Sequence, residues 1–135
     1  MIPITLSLRF KNRMDGESDE TAMRVSGTLE REIGGYALRY TECIDGAETQ
    51  VLIRTDGRRA VIKRTGPASV IFTLEPGVSH PSLYETSVGS IPMTVKNAFV
   101  DSHLTENGGT LHLRYTLELG GGDSFHEVSI QVRKD

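Results

Sequence analysis

"GGYALRYTECIDGAETQVLIRTDGRRAVIKRTG" spans residues 34–66. Its apolar residues recur at every second position: Tyr36, Leu38 and Tyr40, then Val51 and Ile53, then Ala60 and Ile62. A period of two is the pattern of a strand with one buried face. The pairs Asp45-Gly46 and Asp56-Gly57 separate the runs, and Gly34-Gly35 precedes the first. Such pairs close two-residue hairpins. Each turn fixes a register. Gly34-Gly35 sets Leu29 against Tyr40 and Gly27 against Glu42, Asp45-Gly46 sets Tyr40 against Val51 and Glu42 against Thr49, and Asp56-Gly57 sets Val51 against Ile62 and Thr49 against Arg64. The apolar sets then agree across four strands, as a shared core face requires.

One inward row therefore reads Leu29, Tyr40, Val51, Ile62, and the next reads Gly27, Glu42, Thr49, Arg64. Glu42 and Arg64 are separated by one strand, or about 10 Å of backbone. Two long side chains span that distance over Thr49, with Gly27 leaving room beside Glu42. Inward charges have to be paired or wet. The pair reads either as a salt bridge closing one end of a barrel or as a polar anchor at the mouth of a ligand cavity. On the outer face, Arg54 falls opposite Arg59, Glu30 opposite Arg39, and Leu52 and Val61 form a small apolar strip.

The rest of the chain has the same period. Ile4, Leu6, Leu8 and Phe10 share a face, as do Leu111, Leu113, Tyr115, Leu117 and Leu119, and His126, Val128, Ile130 and Val132. No segment sustains a helical period. Eight to ten short-spaced strands predict an all-β, up-and-down antiparallel closed β-barrel, since closure removes exposed edges. "NRMDGESDE" (residues 12–20) reads as a solvated loop, and "EPGVSHPS" (75–82) as the next break.

The 135 residues suit a single domain over 1–135. One cysteine, Cys43, rules out an internal disulfide and fits a reducing, cytoplasmic setting. The alternating start lacks a secretory pattern, and no apolar run is long enough for a spanning helix. A net charge of −3 argues against nucleic-acid backbone as a partner. No membrane partner is expected.

Chemistry is sparse. Leu117 facing His126 puts His112 opposite Gln131 on the other face, so these two histidines cannot share a metal. His126 reads as a satisfied interior histidine, and nothing joins His80 to His103. There is no Gly-x-Ser-x-Gly elbow, and Cys43 lies on the outer face opposite Glu48. No cofactor, metal or catalytic motif is expected. An enzyme would have to use Glu42 as its acid or base.

The expected function is binding of a small, partly apolar or amphipathic ligand in the barrel interior. Its anchors would be Tyr40, Glu42, Arg64 and Tyr84, and its lining Leu29, Leu38, Val51, Ile53, Ile62, Phe72 and Tyr115. The alternative, for a filled interior, is a protein-interaction module using the basic outer face of Arg54, Arg59 and Lys63.

Four pieces carry a resemblance: "GGYALRYTE" (34–42), "VIKRTG" (61–66), "LYETSVG" (83–89) and "GTLHLRYTLEL" (109–119). In that order the chain resembles the YwiB-like family of small bacterial proteins, a domain of unknown function. The likeness runs from about Val25 to Val132. It implies a lipocalin-like, calycin-type β-barrel and carries no established activity. The residues matching the family pattern are Tyr40, Glu42, Arg64, Gly66, Tyr84, Thr86, Gly89 and Tyr115. Asn97 stands where the pattern leads one to expect threonine.

Overall fold

The computed structural model describes residues 1–44 and 46–135. They form ten strands: β1 (Ile2–Met14), β2 (Glu17–Glu32), β3 (Gly35–Ile44), β4 (Ala47–Thr55), β5 (Ala60–Thr65), β6 (Ser69–Leu74), β7 (His80–Thr86), β8 (Gly89–Thr105), β9 (Gly108–Leu119) and β10 (Gly122–Lys134). Each pairs antiparallel with its sequence neighbours, and β10 closes on β1. The result is the expected closed up-and-down barrel, which leaves no free edge to template aggregation.

Three of the four predicted hairpin registers are displaced by two residues, and one holds. β3 and β4 pair as expected, with Tyr40 opposite Val51 and Glu42 opposite Thr49; Asp45, half of that turn, lies outside the described residues. Between β2 and β3 the turn is Ile33-Gly34, so Leu29 faces Leu38 and Gly27 faces Tyr40. Gly34 takes the positive φ of 79° that the turn requires, and Ile33 is fully exposed. Gly35 lies in the strand opposite Glu32, at a place where only glycine fits, since a β-carbon there would collide with the Thr55 carbonyl.

Between β4 and β5 the loop has four residues, 56–59, and Val51 faces Arg64. Asp56 lengthens it: its Oδ1 accepts from the backbone N–H groups of Arg58 and Arg59 at 2.9 and 2.8 Å. Those bonds hold its carboxyl below the usual carboxylate range. Arg54 therefore faces Val61, and the like-charge pair with Arg59 does not form. β9 and β10 turn on Gly120-Gly121, with φ of 58° and 84°. This sets His126 against Tyr115 and His112 against Ser129. A displacement by two leaves every residue on its predicted face.

The predicted loop at 12–20 is instead the outer end of the β1–β2 hairpin, turning on Asp15-Gly16. It is polar on both sides because neither side is buried there. Gly27 also differs from expectation. The space above it is filled, since a β-carbon would collide with the Arg39 backbone carbonyl and would meet Leu6 Cδ1 at 2.7 Å and Tyr40 Cβ at 3.2 Å. Gly27→Ala is therefore expected to destabilise the barrel by about 1–3 kcal/mol through overpacking, measured by urea unfolding.

Two family-pattern residues, Thr86 and Gly89, have a local structural role. Thr86 Oγ1 donates to the Gly89 carbonyl at 2.8 Å and accepts from the Val88 N–H at 3.2 Å. Gly89 takes a φ of 139°. Thr105 repeats the device at the next turn, bonding the Gly108 carbonyl and the Asn107 N–H. Asn97 sits at the irregularity between Lys96 and Phe99 with a φ of 53°. Asparagine tolerates that left-handed conformation, whereas β-branched threonine would be strained.

The wall is thinnest between β6 and β7. One ladder pair, Ser69 with Glu85, and the bridge Glu75–Val78 join them. Pro81 has no N–H to extend the ladder, and Ser82 Oγ instead donates to the Ile71 carbonyl at 2.6 Å.

The interior is divided. Ile4, Leu6, Leu29, Leu38, Leu74 and Leu111 are fully buried and pack one end solid. The other end is hollow.

Candidate functional site

Alternation along β3 brings Tyr40 and Glu42 inward, and alternation along β5 does the same for Arg64. Glu42 is 1 % exposed. The displaced register puts Arg64 one rung off the Glu42–Thr49 pair, so the guanidinium reaches diagonally. It grips the carboxylate as a fork: Nη2 donates to Oε2, and Nη1 lies 3.5 Å from Oε1. Such bidentate pairing offsets the cost of burying both charges. Tyr40 donates its hydroxyl to Oε1 at 3.4 Å. Burial, reinforced by the adjacent carboxylate, pushes the Tyr40 hydroxyl well above its ordinary pKa.

Beside this cluster lies a cavity of about 360 Å³. Its polar rim includes Tyr40, Glu42, Arg64, Tyr84 and Tyr115, and all five predicted candidates therefore meet around one space. Burial pushes the Tyr115 hydroxyl up to about 12. The Tyr115 ring tilts against Phe72 at 5.7 Å and stacks on His126 at 5.2 Å and 19°. Among the described residues, the hydroxyls of Tyr84 and Tyr115 have no protein hydrogen-bond partner.

The predicted lining is only half right. Ile53, Ile62, Phe72 and Tyr115 face the cavity. Leu29, Leu38 and Val51 are buried but lie outside its lining. In their place, Phe10, Met23 and Val128 contribute. These come from β1, β2 and β10, which meet through the pairing of β1 with both neighbours, a closure that the hairpin registers did not give.

His126 was expected to be a satisfied interior residue, and it is held on two sides. Its Nδ1 lies 2.7 Å from Asn12 Oδ1, and its Nε2 lies 2.7 Å from Ser124 Oγ. Burial lowers its pKa below the ordinary histidine value. Acidification below about pH 6.5 then protonates the unfolded chain first. Stability present above that pH is lost as the pH falls through the folded-state value, and His126→Gln is expected to lose less between pH 7 and 5.5 in urea titrations. Asn12 and Ser124 did not emerge from the sequence as site residues. The signal was available, since both share parity with inward neighbours, Phe10 and His126. Their meeting depends on β10 closing against β1, where Asn12 pairs with His126.

The basic outer stretch is largely neutralised. Arg54 Nε lies 3.3 Å from Glu32, Arg59 Nε 3.7 Å from Asp56, and Arg39 Nη1 2.8 Å from Glu30. Arg39 reaches Glu30 diagonally, its direct partner being Thr28. Leu52 and Val61 face Lys63 and Arg54 respectively rather than each other. A broader groove of about 770 Å³ lies around β1, β2, β8, β9 and β10. There Arg114 covers Phe99 at 4.2 Å and Arg13 covers Phe125 at 5.2 Å.

Fold and site together define a small closed ten-stranded β-barrel, solid at one end and hollow at the other, with a charged pair inside the hollow end. The chain belongs to the family described as domain of unknown function DUF1934, whose model matches residues 6–132. It is similar to the uncharacterized β-barrel protein YwiB of Bacillus subtilis (strain 168), with 21 % identity over 129 residues, covering 95 % of this chain and 91 % of that protein. The crystal structure of the Bacillus subtilis YwiB protein superimposes with a TM-score of 0.89 at 20 % identity, covering 99 % of this chain and 92 % of that one. That likeness speaks to the fold.

Proposed function

We propose that the barrel is a binding protein for a small, partly apolar molecule with a carboxylate or other acceptor at one end. The observation that carries this is the coincidence of the cavity of about 360 Å³ with the buried Glu42–Arg64 pair and two tyrosine hydroxyls that have no hydrogen-bond partner among the described residues. A volume of that size falls within the range of about 300–1,000 Å³ in which small-molecule sites are usually built. The apolar body would lie against Ile62, Val70 and Phe72. The acceptor end would meet Tyr84, Tyr115 and the guanidinium N–H groups left over from Glu42, since arginine carries five and the fork uses two. The pair itself is electrically neutral, so recognition is by hydrogen bonding more than by net charge.

The second reading, an interaction module working through Arg54, Arg59 and Lys63, is weakened by the acidic partners that Arg54 and Arg59 already hold.

Native mass spectrometry on protein purified from cells without denaturation separates the two readings. A co-purifying small molecule, released on denaturation and absent from a refolded sample, supports the cavity. A bare chain that also fails to bind added octanoate, the probe matching the cavity's chemistry, would remove the first reading.

A further inference from the structure

We propose that Ser124, His126 and Asn12 form a nucleophile–base–positioning chain for acyl transfer at the open end of the barrel, acting on esters of short apolar acids. The placement follows from the strands. Ser124 and His126 are two residues apart on β10 and share its inward face, and Asn12 on β1 is the direct ladder partner of His126. Both contacts in the chain are 2.7 Å. That is the separation at which a side-chain base activates a hydroxyl while a third group orients it.

The proton positions are determined by chemistry. Asn12 Oδ1 can only accept, so Nδ1 carries the ring hydrogen and donates it. The Nε2 of the neutral ring then holds a lone pair and accepts from the Ser124 hydroxyl. This is the tautomer that a base needs, with asparagine in the positioning role it takes in some acyl-transfer enzymes. Stacking on Tyr115 fixes the ring from a third direction. Burial disfavours the charged ring, which keeps the base available at neutral pH. Ser124 is 8 % exposed. Its hydroxyl caps no turn, and its side-chain hydrogen bond is made to the histidine.

His126 and Asn12 line the cavity together with Arg64, Tyr115, Val70 and Phe72; Ser124 stands beside that lining, one inward position past His126 and opposite the lining residue Leu117. The assignment rests on the proposed binding reading only in taking that cavity as the acyl pocket. In the reaction, Ser124 Oγ bonds to the ester carbonyl carbon as its proton passes to His126 Nε2. The alcohol then leaves with that proton, and the ester C–O bond breaks. Water attacks the acyl-serine and gives a proton to Nε2. The carboxylic acid departs as the serine oxygen recovers that proton. Ester and water become acid and alcohol, with no redox change.

The test is labelling of the folded, full-length protein with diisopropyl fluorophosphate, in which the serine oxygen bonds to phosphorus and fluoride leaves. The expected result is a single adduct mapped to Ser124 and absent from Ser124→Ala. Labelling should slow by roughly 10²–10⁴-fold in His126→Gln, the range of a lost general base. It should also slow in Asn12→Ala and recover in Asn12→Asp, which keeps the acceptor oxygen; loss of packing alone would not give that recovery. No adduct on the wild-type chain under excess reagent would overturn the proposal. So would an adduct that persists in Ser124→Ala, or an unchanged rate in His126→Gln. Octanoate binding by Ser124→Ala, whose small side chain leaves the fold intact, reports on the cavity separately, so either idea can fail without the other.

Discussion

Arg64→Met is expected to lower the unfolding free energy by about 2–4 kcal/mol, somewhat less than for a fully buried pair because the arginine retains solvent contact. The cost comes from what is left behind. Glu42 is almost inaccessible, and among the described residues its carboxylate without the fork keeps the one 3.4 Å contact to Tyr40. The double variant Glu42→Met, Arg64→Met should recover most of the loss, since an apolar pair of similar volume removes the stranded charge along with its partner. A double-mutant cycle in urea reads this directly. Additive losses would mean that the two side chains do not depend on each other. The same Arg64→Met protein, once shown to be folded, should bind octanoate more weakly.

The second large effect is an asymmetry along the barrel axis. Leu38→Ala is expected to cost about 3–5 kcal/mol, because Leu38 is fully buried in the packed core, outside the cavity lining, and its loss leaves a new void. Ile62→Ala, one strand beyond Ile53 on the same rung, removes a side chain of the same size from a wall that already faces open space. Its expected cost is about 2–3 kcal/mol, the low end of the range, chiefly the lost transfer of the removed carbons. Chemical denaturation of both variants under one set of conditions checks the ratio. Equal costs would mean that the hollow end is packed as tightly as the other.

The all-β architecture, the inward face of nearly every strand and the convergence of Tyr40, Glu42 and Arg64 were legible in the sequence. They depend only on parity, and parity survives a displacement by two. The displacements themselves arose at turns. Gly34-Gly35 and the run Gly120–Gly122 each offer two adjacent pairs that could close a hairpin, and only packing against β4 shows that Gly35 belongs to the strand. The Asp56 loop grew because a side-chain cap, invisible to hydrophobic pattern, added two residues.

The hairpin at 12–20 was missed for a different reason. Alternation marks a strand only where one face is buried, and this segment has both faces in water. The division into solid and hollow ends was also illegible, because Leu38 and Ile62 carry the same inward signal. Asn12 and His126 are 114 positions apart, and only closure of β10 on β1 brings them together.

Methyl-resolved NMR with octanoate as probe tests the hollow-ended barrel most directly. Addition of the acid should shift the methyl signals of Ile53, Ile62, Val70 and Val128, which line the cavity, and leave those of Leu29, Leu38 and Leu111 in place. Shifts centred on the three leucines, or none anywhere at millimolar octanoate, would contradict it.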